Sequence, residues 1–539
     1  MRTLFHNAAC WSHGKEIFDG ILIEGESIIA TGVRALDSKF DQSIDLKGAF
    51  VIPAFIDGHA HPIFGGREAA GPKINGLDSV DEILREVESF AINNPDQAWI
   101  VGGAYEAAII DGGDFDAHWL DSVVGDRPVV LHAVDHHTIW VNSKALELAA
   151  ITLETVDPIG GTIARRHDGA PKGTFREPSA MALILDRAPS DSIASDVQAI
   201  KSACTAYLDS GVTCAIDSWV EKDMAKAYLA AAQSGDLTIA MNLSLLVTPT
   251  TWEGKLEEFN SLRDEFEALP NPDLVQVNSI KFLADGALSA GTAALVDPYL
   301  DDPDSNGIKI WGEDELVDAL VAFDALKFQI HIHAIGDAAV KQALDSIEAM
   351  MRVNPTWDRR PVIVHAQLIC DEDLPRFKAL GVIANIQPLW CYLDPMNKEL
   401  ILPRIGRERN DSQYRLRSLI DSGATIAFGS DWPVTSEIPL RALGVPVNRL
   451  KPGQKSGESW TISEAITMEE SLQFYTHNVA YQLFRELERG ALEKGMKADF
   501  IVLDKNLLDT DPWQVSTVGI KALYKNGLPV EISSSAWPL

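Results

Sequence analysis

The sequence predicts an α/β protein: a (β/α)8 TIM barrel, with a small β-sandwich domain made from both termini and a subdomain inserted after the first barrel strand. Three observations carry this reading. From about residue 190 onward, short apolar runs alternate with segments of helical periodicity. Seven such runs follow one another with a helix between each pair, and "VIPAFIDGHAH" near the start makes eight. The two ends of the chain do not join this alternation and read as short strands around turns.

The elements follow in order. "IKSACTAYLDSG" has apolar residues at helical spacing and stops at Gly211; "VTCAID" after it is a short strand. "KDMAKAYLAAAQSG" is helical to Gly235, and "LTIAMNLSLLV" is extended. The helices "WEGKLEEFNSLRDEF", "EDELVDALVAFDAL", "AAVKQALDSIEAMM", "DEDLPRFKAL" and "YRLRSLIDSG" precede the strands "VQVNSIKFLADG", "FQIHIHAIGD", "PVIVHAQ", "VIANIQPL" and "TIAFGSDWP", in that order. Alternation alone is also compatible with a doubly wound open sheet. Residues 65–190 interrupt the pattern with a helix, "DSVDEILREVESF", and a strand, "RPVVLHAV", and are expected to form the inserted subdomain. Residues 51–484 are then the barrel. Residues 1–50 and 485–539 are expected to pair into one β-domain, from "GILIEGESIIATG" at one end and "ADFIVLDKN" and "IKALYKNGLPVEI" at the other.

Composition narrows the partners. A formal net charge of −32 argues against a nucleic-acid backbone, whose phosphates would be repelled. No apolar run reaches the length of a membrane span, and no basic segment followed by an apolar one suggests a signal peptide. The five cysteines are widely spaced, with no CxxC, which fits a reducing cytoplasm. A small-molecule substrate is the expected partner.

The histidines carry the chemistry. In a strand, residues i and i+2 share a face, so His59 and His61 project together from the end of an apolar run. Active sites of parallel barrels lie at that end. Other strands repeat the device: His331 and His333 in "QIHIHAIGD", His365 in "VIVHAQ", Asp431 in "FGSDWP" and Lys281 in "SIKFLADG". Buried imidazoles and charges are costly unless paired or ligated. A divalent metal supplies the pairing, and imidazoles with a carboxylate are an ordinary zinc set.

These residues resemble the amidohydrolase superfamily, in particular its amidohydrolase family 3 branch, which includes N-substituted formamide deformylases. The likeness runs over nearly the whole chain. It rests on "IPAFIDGHAH", "HHTIWVNSKAL", "GGTIARRHDGAPKGTFRE", "IKFLADGALSAGTAAL", "HIHAIGDAAV", "VHAQ", "FGSDWPV" and "GALEKGMKADFIVLD". The resemblance implies one or two divalent ions, zinc being expected. His59 and His61 would bind one ion, and His333 and His365 a second or the rest of a single site. Asp431 would be both ligand and general base. Lys281 would be carboxylated where two ions are bound, since a free ammonium would repel them; pairing with an acid such as Asp285 is the alternative. His331 is either a substitute ligand or a neighbour that supports one. Ala54 stands where the family has glycine, and Val364 where it has an acid before the strand-six histidine. His137, Glu177, Trp140, Trp390 and Trp432 are expected to bind substrate. The implied activity is hydrolysis of a C–N bond in an amide, formamide or cyclic amide, with a homodimer as a family-level expectation. Ester hydrolysis, decarboxylation or isomerisation on the same barrel, and a non-catalytic regulator, are the competing readings.

Overall fold

The computed structural model describes residues 1–134, 136–158, 160–188 and 192–532. The last seven residues of the 485–539 segment, and residues 189–191 at the far boundary of the insert, lie outside the described residues.

Eight parallel strands form one sheet in sequence order: β1 (Phe55–Ala60), β2 (Val212–Val220), β3 (Ala240–Leu246), β4 (Val275–Leu283), β5 (Gln329–Ala334), β6 (Val362–His365), β7 (Ile383–Ile386) and β8 (Thr425–Phe428). Each coincides with one of the eight apolar runs. The sheet curls until β1 meets the end of β8: Asp431 donates its backbone N–H to the His59 carbonyl at 2.7 Å, and His61 does the same to Trp432 at 2.7 Å. This near-closure decides for a barrel over an open sheet. Asp57 reinforces the seam. It is fully buried and accepts from the Ser430 backbone (2.8 Å), the Ser430 hydroxyl (2.5 Å) and Tyr207 (3.3 Å).

Period-two alternation positions the site. In β4, Ser279 and Lys281 share a face, and the Ser279 hydroxyl lies 3.0 Å from that of Ser244 on β3. In β5, Gln329, His331 and His333 share a face while Ile330 and Ile332 pack outward in the main core. The far end of the barrel is closed by polar contacts: Asn385 and Gln482 both donate to the Gly58 carbonyl, at 3.0 and 2.7 Å.

The insert has its own five-stranded sheet, in the order Ile100–Tyr105, Val129–Ala133, Thr138–Val141, Pro171–Arg176, Thr162–Arg165. The helix Val80–Asn93 packs on it with Ile83, Val87 and Ala91, after an N-cap at Ser79 that accepts from Glu82 N–H. Asn142 holds one corner. Its carbonyl oxygen accepts from Val129 and Ala145 N–H, and its amide donates to Val124 and Arg127 carbonyls.

The two ends of the chain meet in a single seven-stranded sheet: Leu528–Val530, Ile520–Lys525, Phe500–Leu503, Gln42–Pro53, Arg2–Cys10, Ile21–Glu24, Ser27–Thr31. Phe5, Val51, Phe500 and Val502 are buried in it. Among the described residues, no helix is long and apolar enough to cross a membrane.

Candidate metal centre

The carboxyl ends of β1, β6 and β8 converge on one point. The donor atoms of His59, His365 and Asp431 all lie within 4.8 Å of one another, and all three residues are buried. His59 Nε2 and His61 Nε2 each stand 3.2 Å from Asp431 Oδ1. His59 Nε2 is enclosed, and at that distance it has no aligned hydrogen bond among the described residues. An orphaned ring nitrogen beside a carboxylate is what a cation site leaves when read from the protein alone.

Protonation states match. Burial lowers the His59 imidazole well below its ordinary value, and the Lys281 charge pushes the same way against Asp431. Burial likewise pushes His365 down to about 4. For Asp431, burial alone would raise the carboxyl. Its contacts to His59 and His61 more than offset this and hold it well below the usual carboxylate range. Neutral imidazoles facing an ionised carboxylate are ligands in the form a divalent ion needs, so the residues present fit the group.

His365 Nδ1 is 2.7 Å from Gln387 Oε1, so the residue just after β7 supplies the acceptor that Val364 cannot, and a proton on Nδ1 leaves Nε2 as the donor atom. His365 and Asp431 both have left-handed backbones, with φ of 69° and 58°. Such conformations are costly for non-glycine residues and cluster at functional sites.

His333 flanks the group, its ring 4.7 Å from that of His365. Its Nε2 faces the Gly286 carbonyl at 3.3 Å and Asp285 Oδ1 at 3.7 Å. Lys281 is 1% exposed, and burial pushes its ammonium down to about 7 although the Asp431 charge opposes this. Asp285 is not its partner. That carboxylate accepts backbone N–H bonds from Ala294, Ile335 and Gly336 at 2.8–3.0 Å, tying the end of β4 to the end of β5.

The insert brings His137 to the same mouth, its ring 5.9 Å from that of His333. Glu177 Oε2 lies 2.9 Å from His137 Nδ1, and Oε1 accepts from Thr292 at 2.5 Å. The backbone of Glu177 is left-handed (φ 68°) and its N–H donates to the His137 carbonyl. Trp390 stacks on His365 at 5.5 Å, and Trp432 packs edge-on against Tyr207 at 5.4 Å. Trp140 must be corrected. It is fully buried among Tyr105, Phe115 and Trp119, with its indole N–H on the Asp116 carbonyl, because its strand turns that face into the insert's own core.

Sequence reasoning missed Gln387, Phe64 and Trp219. Gln387 follows β7 at the end of an apolar run, the same signal that marked the histidines, but an uncharged amide is not itself a zinc-ligand type. Phe64 and Trp219 stand beside His61, at 5.8 and 6.4 Å between rings. Trp219 lies late in β2, two residues after the buried Asp217.

With this geometry in place, comparison with known proteins is direct. The family model described as "Amidohydrolase family" matches residues 42–530. The putative amidohydrolase YtcJ of Bacillus subtilis is 30% identical, over 98% of this chain and 99% of its own. The N-substituted formamide deformylase of Arthrobacter pascens is 25% identical, over 94% of each. A crystal structure of an uncharacterized metal-dependent hydrolase from Pyrococcus furiosus superposes with a TM-score of 0.72 at 26% identity, covering 94% of this chain and all of that one. The barrel, the converging ligands and the family match over nearly the whole length lead to one conclusion: this chain belongs to the amidohydrolase family.

Proposed function

We propose that the chain is a metal-dependent hydrolase that cleaves a carbon–nitrogen bond in an amide, an N-substituted formamide or a cyclic amide, with zinc as its ion. The observation that carries this is the convergence of His59, His61, His365 and the ionised Asp431 within one buried shell at the barrel mouth. The named activities of the similar deformylase and of the similar metal-dependent hydrolase support it.

A divalent ion held by these residues, with His333 beside them, supplies Lewis-acid polarisation of a carbonyl and makes water a stronger acid. Asp431 accepts a proton from the attacking water at its carboxylate. The water oxygen bonds to the carbonyl carbon, the C–N bond breaks, and Asp431 returns the proton to the leaving nitrogen. His137, with Nδ1 turned to Glu177, presents its other ring nitrogen to the substrate. Trp390 and Trp432, with Phe64 and Trp219, form aromatic walls suited to an apolar substituent on the amide.

Lys281 is the residue whose amine would be carboxylated. A lysine pushed down to about 7 has much of its amine neutral near pH 7, and only the neutral amine attacks carbon dioxide. The product anion offers two oxygens where an ammonium would repel a second cation.

The test is a panel of amides, N-substituted formamides, lactams and esters offered to zinc-loaded protein. Turnover of an amide or formamide well above every ester is expected. Hydrolysis confined to esters would refute the proposed bond.

A further inference from the structure

We infer that His331 is a positioning residue that fixes the tautomer of His59, so that an imidazole, not a carboxylate or a backbone carbonyl, supports this ligand. The inference rests on the metal-centre reading above. His331 lies on β5, across the barrel from β1, and its Nε2 is 3.0 Å from His59 Nδ1. The two rings meet edge to edge, within 13° of parallel and with centroids 5.2 Å apart, and both are wholly buried.

The proton count follows from the two rings. For Nε2 of His59 to face a cation it must carry no hydrogen, so the hydrogen sits on Nδ1. That hydrogen is donated to His331 Nε2, which must then be bare, and His331 carries its own hydrogen on Nδ1. With both rings neutral, no other arrangement gives both a hydrogen bond between the rings and a lone pair at His59 Nε2. A ligand histidine ordinarily donates its second N–H to such an acceptor, which fixes ring orientation and raises basicity.

A purely packing role explains the residue poorly. His331 Nδ1 is enclosed with no hydrogen-bond partner among the described residues. An apolar side chain of similar size would avoid that desolvation, so a buried histidine here needs a compensating task. Its register supports the same view. His331 sits opposite Lys281 on β4, two residues before His333, on the face that carries the candidate ligands. It is not itself in the group of donor atoms that converge on Asp431.

The test is zinc affinity of the metal-free protein, measured by competition with a chromophoric chelator, for wild type, His59→Ala, His331→Phe and His331→Gln. Glutamine keeps an oxygen acceptor for the His59 N–H; phenylalanine fills the space without one. His331→Phe should bind zinc about 10–100-fold more weakly, and His331→Gln should stay near wild type. Unchanged affinity in His331→Phe, or equal loss in both variants, would overturn the inference. If His331→Phe does not fold, His331→Leu takes its place and is read the same way. His59→Ala separates the two levels. If it binds zinc like wild type, the metal-centre reading fails; if it alone loses zinc, only the role of His331 fails.

Discussion

At the scale of single residues, Asp431 is the test case. It meets His59 and His61 at 3.2 Å and is held ionised by them. Asp431→Asn keeps the size and loses the proton acceptor. We expect it to fold and to lose turnover by about 10²–10⁴-fold; a variant with more than about a tenth of wild-type activity would take Asp431 out of the base role. Most of the candidate site was legible at this scale, because a His, Lys or Asp late in an apolar strand is chemically out of place. What was not legible is partnership across strands. Nothing in "NSIKFLADG" says that Asp285 is engaged by three backbone N–H groups and so unavailable to Lys281. Nothing in the indole of Trp140 says which face of its strand turns into the insert core.

At the scale of elements, β2 makes a prediction about pH. Asp217 is fully buried and receives hydrogen bonds from Tyr228 (2.7 Å) and the Trp219 backbone (3.1 Å). Burial nonetheless pushes its carboxyl up from 3.8 to about 7. Between these values the folded chain binds more protons than the unfolded chain. Stability from this group is therefore fully present below pH 3.8 and is lost as pH rises through about 7. Asp217→Asn should remove that slope. Denaturant unfolding at pH 5 and pH 8 should show the variant gaining on wild type at the higher pH, by at most about 3 kcal/mol. An unchanged difference between the two pH values would contradict it. The clamp of Glu177 offers a second prediction. Glu177→Ala leaves His137 without its carboxylate and Thr292 without its acceptor. Turnover should fall about tenfold or more with little change in zinc affinity; a loss of zinc instead would make Glu177 a support of the metal shell.

At the scale of the whole molecule, the barrel was readable because seven helical segments separate eight apolar runs and the histidines, Lys281 and Asp431 all fall late in their runs. The barrel's closure was not, since it depends on hydrogen bonds between residues far apart, such as Asp57 with Ser430. The order of the terminal sheet was equally hidden: Phe500–Leu503 pairs with the end of Gln42–Pro53, and Arg2–Cys10 runs parallel to that strand. Removing residues 500–532 would take three strands away and uncover Phe5 and Val51. We expect such a chain to aggregate on expression; a soluble chain with wild-type zinc content would show that this sheet is dispensable. The central claim, that hydrolysis depends on an ion held by His59, His61, His365 and Asp431, is tested most directly by the rate of amide or formamide hydrolysis after chelator treatment, with metal content measured on the same samples. Loss of turnover on metal removal, and its return on adding stoichiometric zinc to wild type but not to His59→Ala, is the predicted result. Full turnover by protein freed of metal would contradict it.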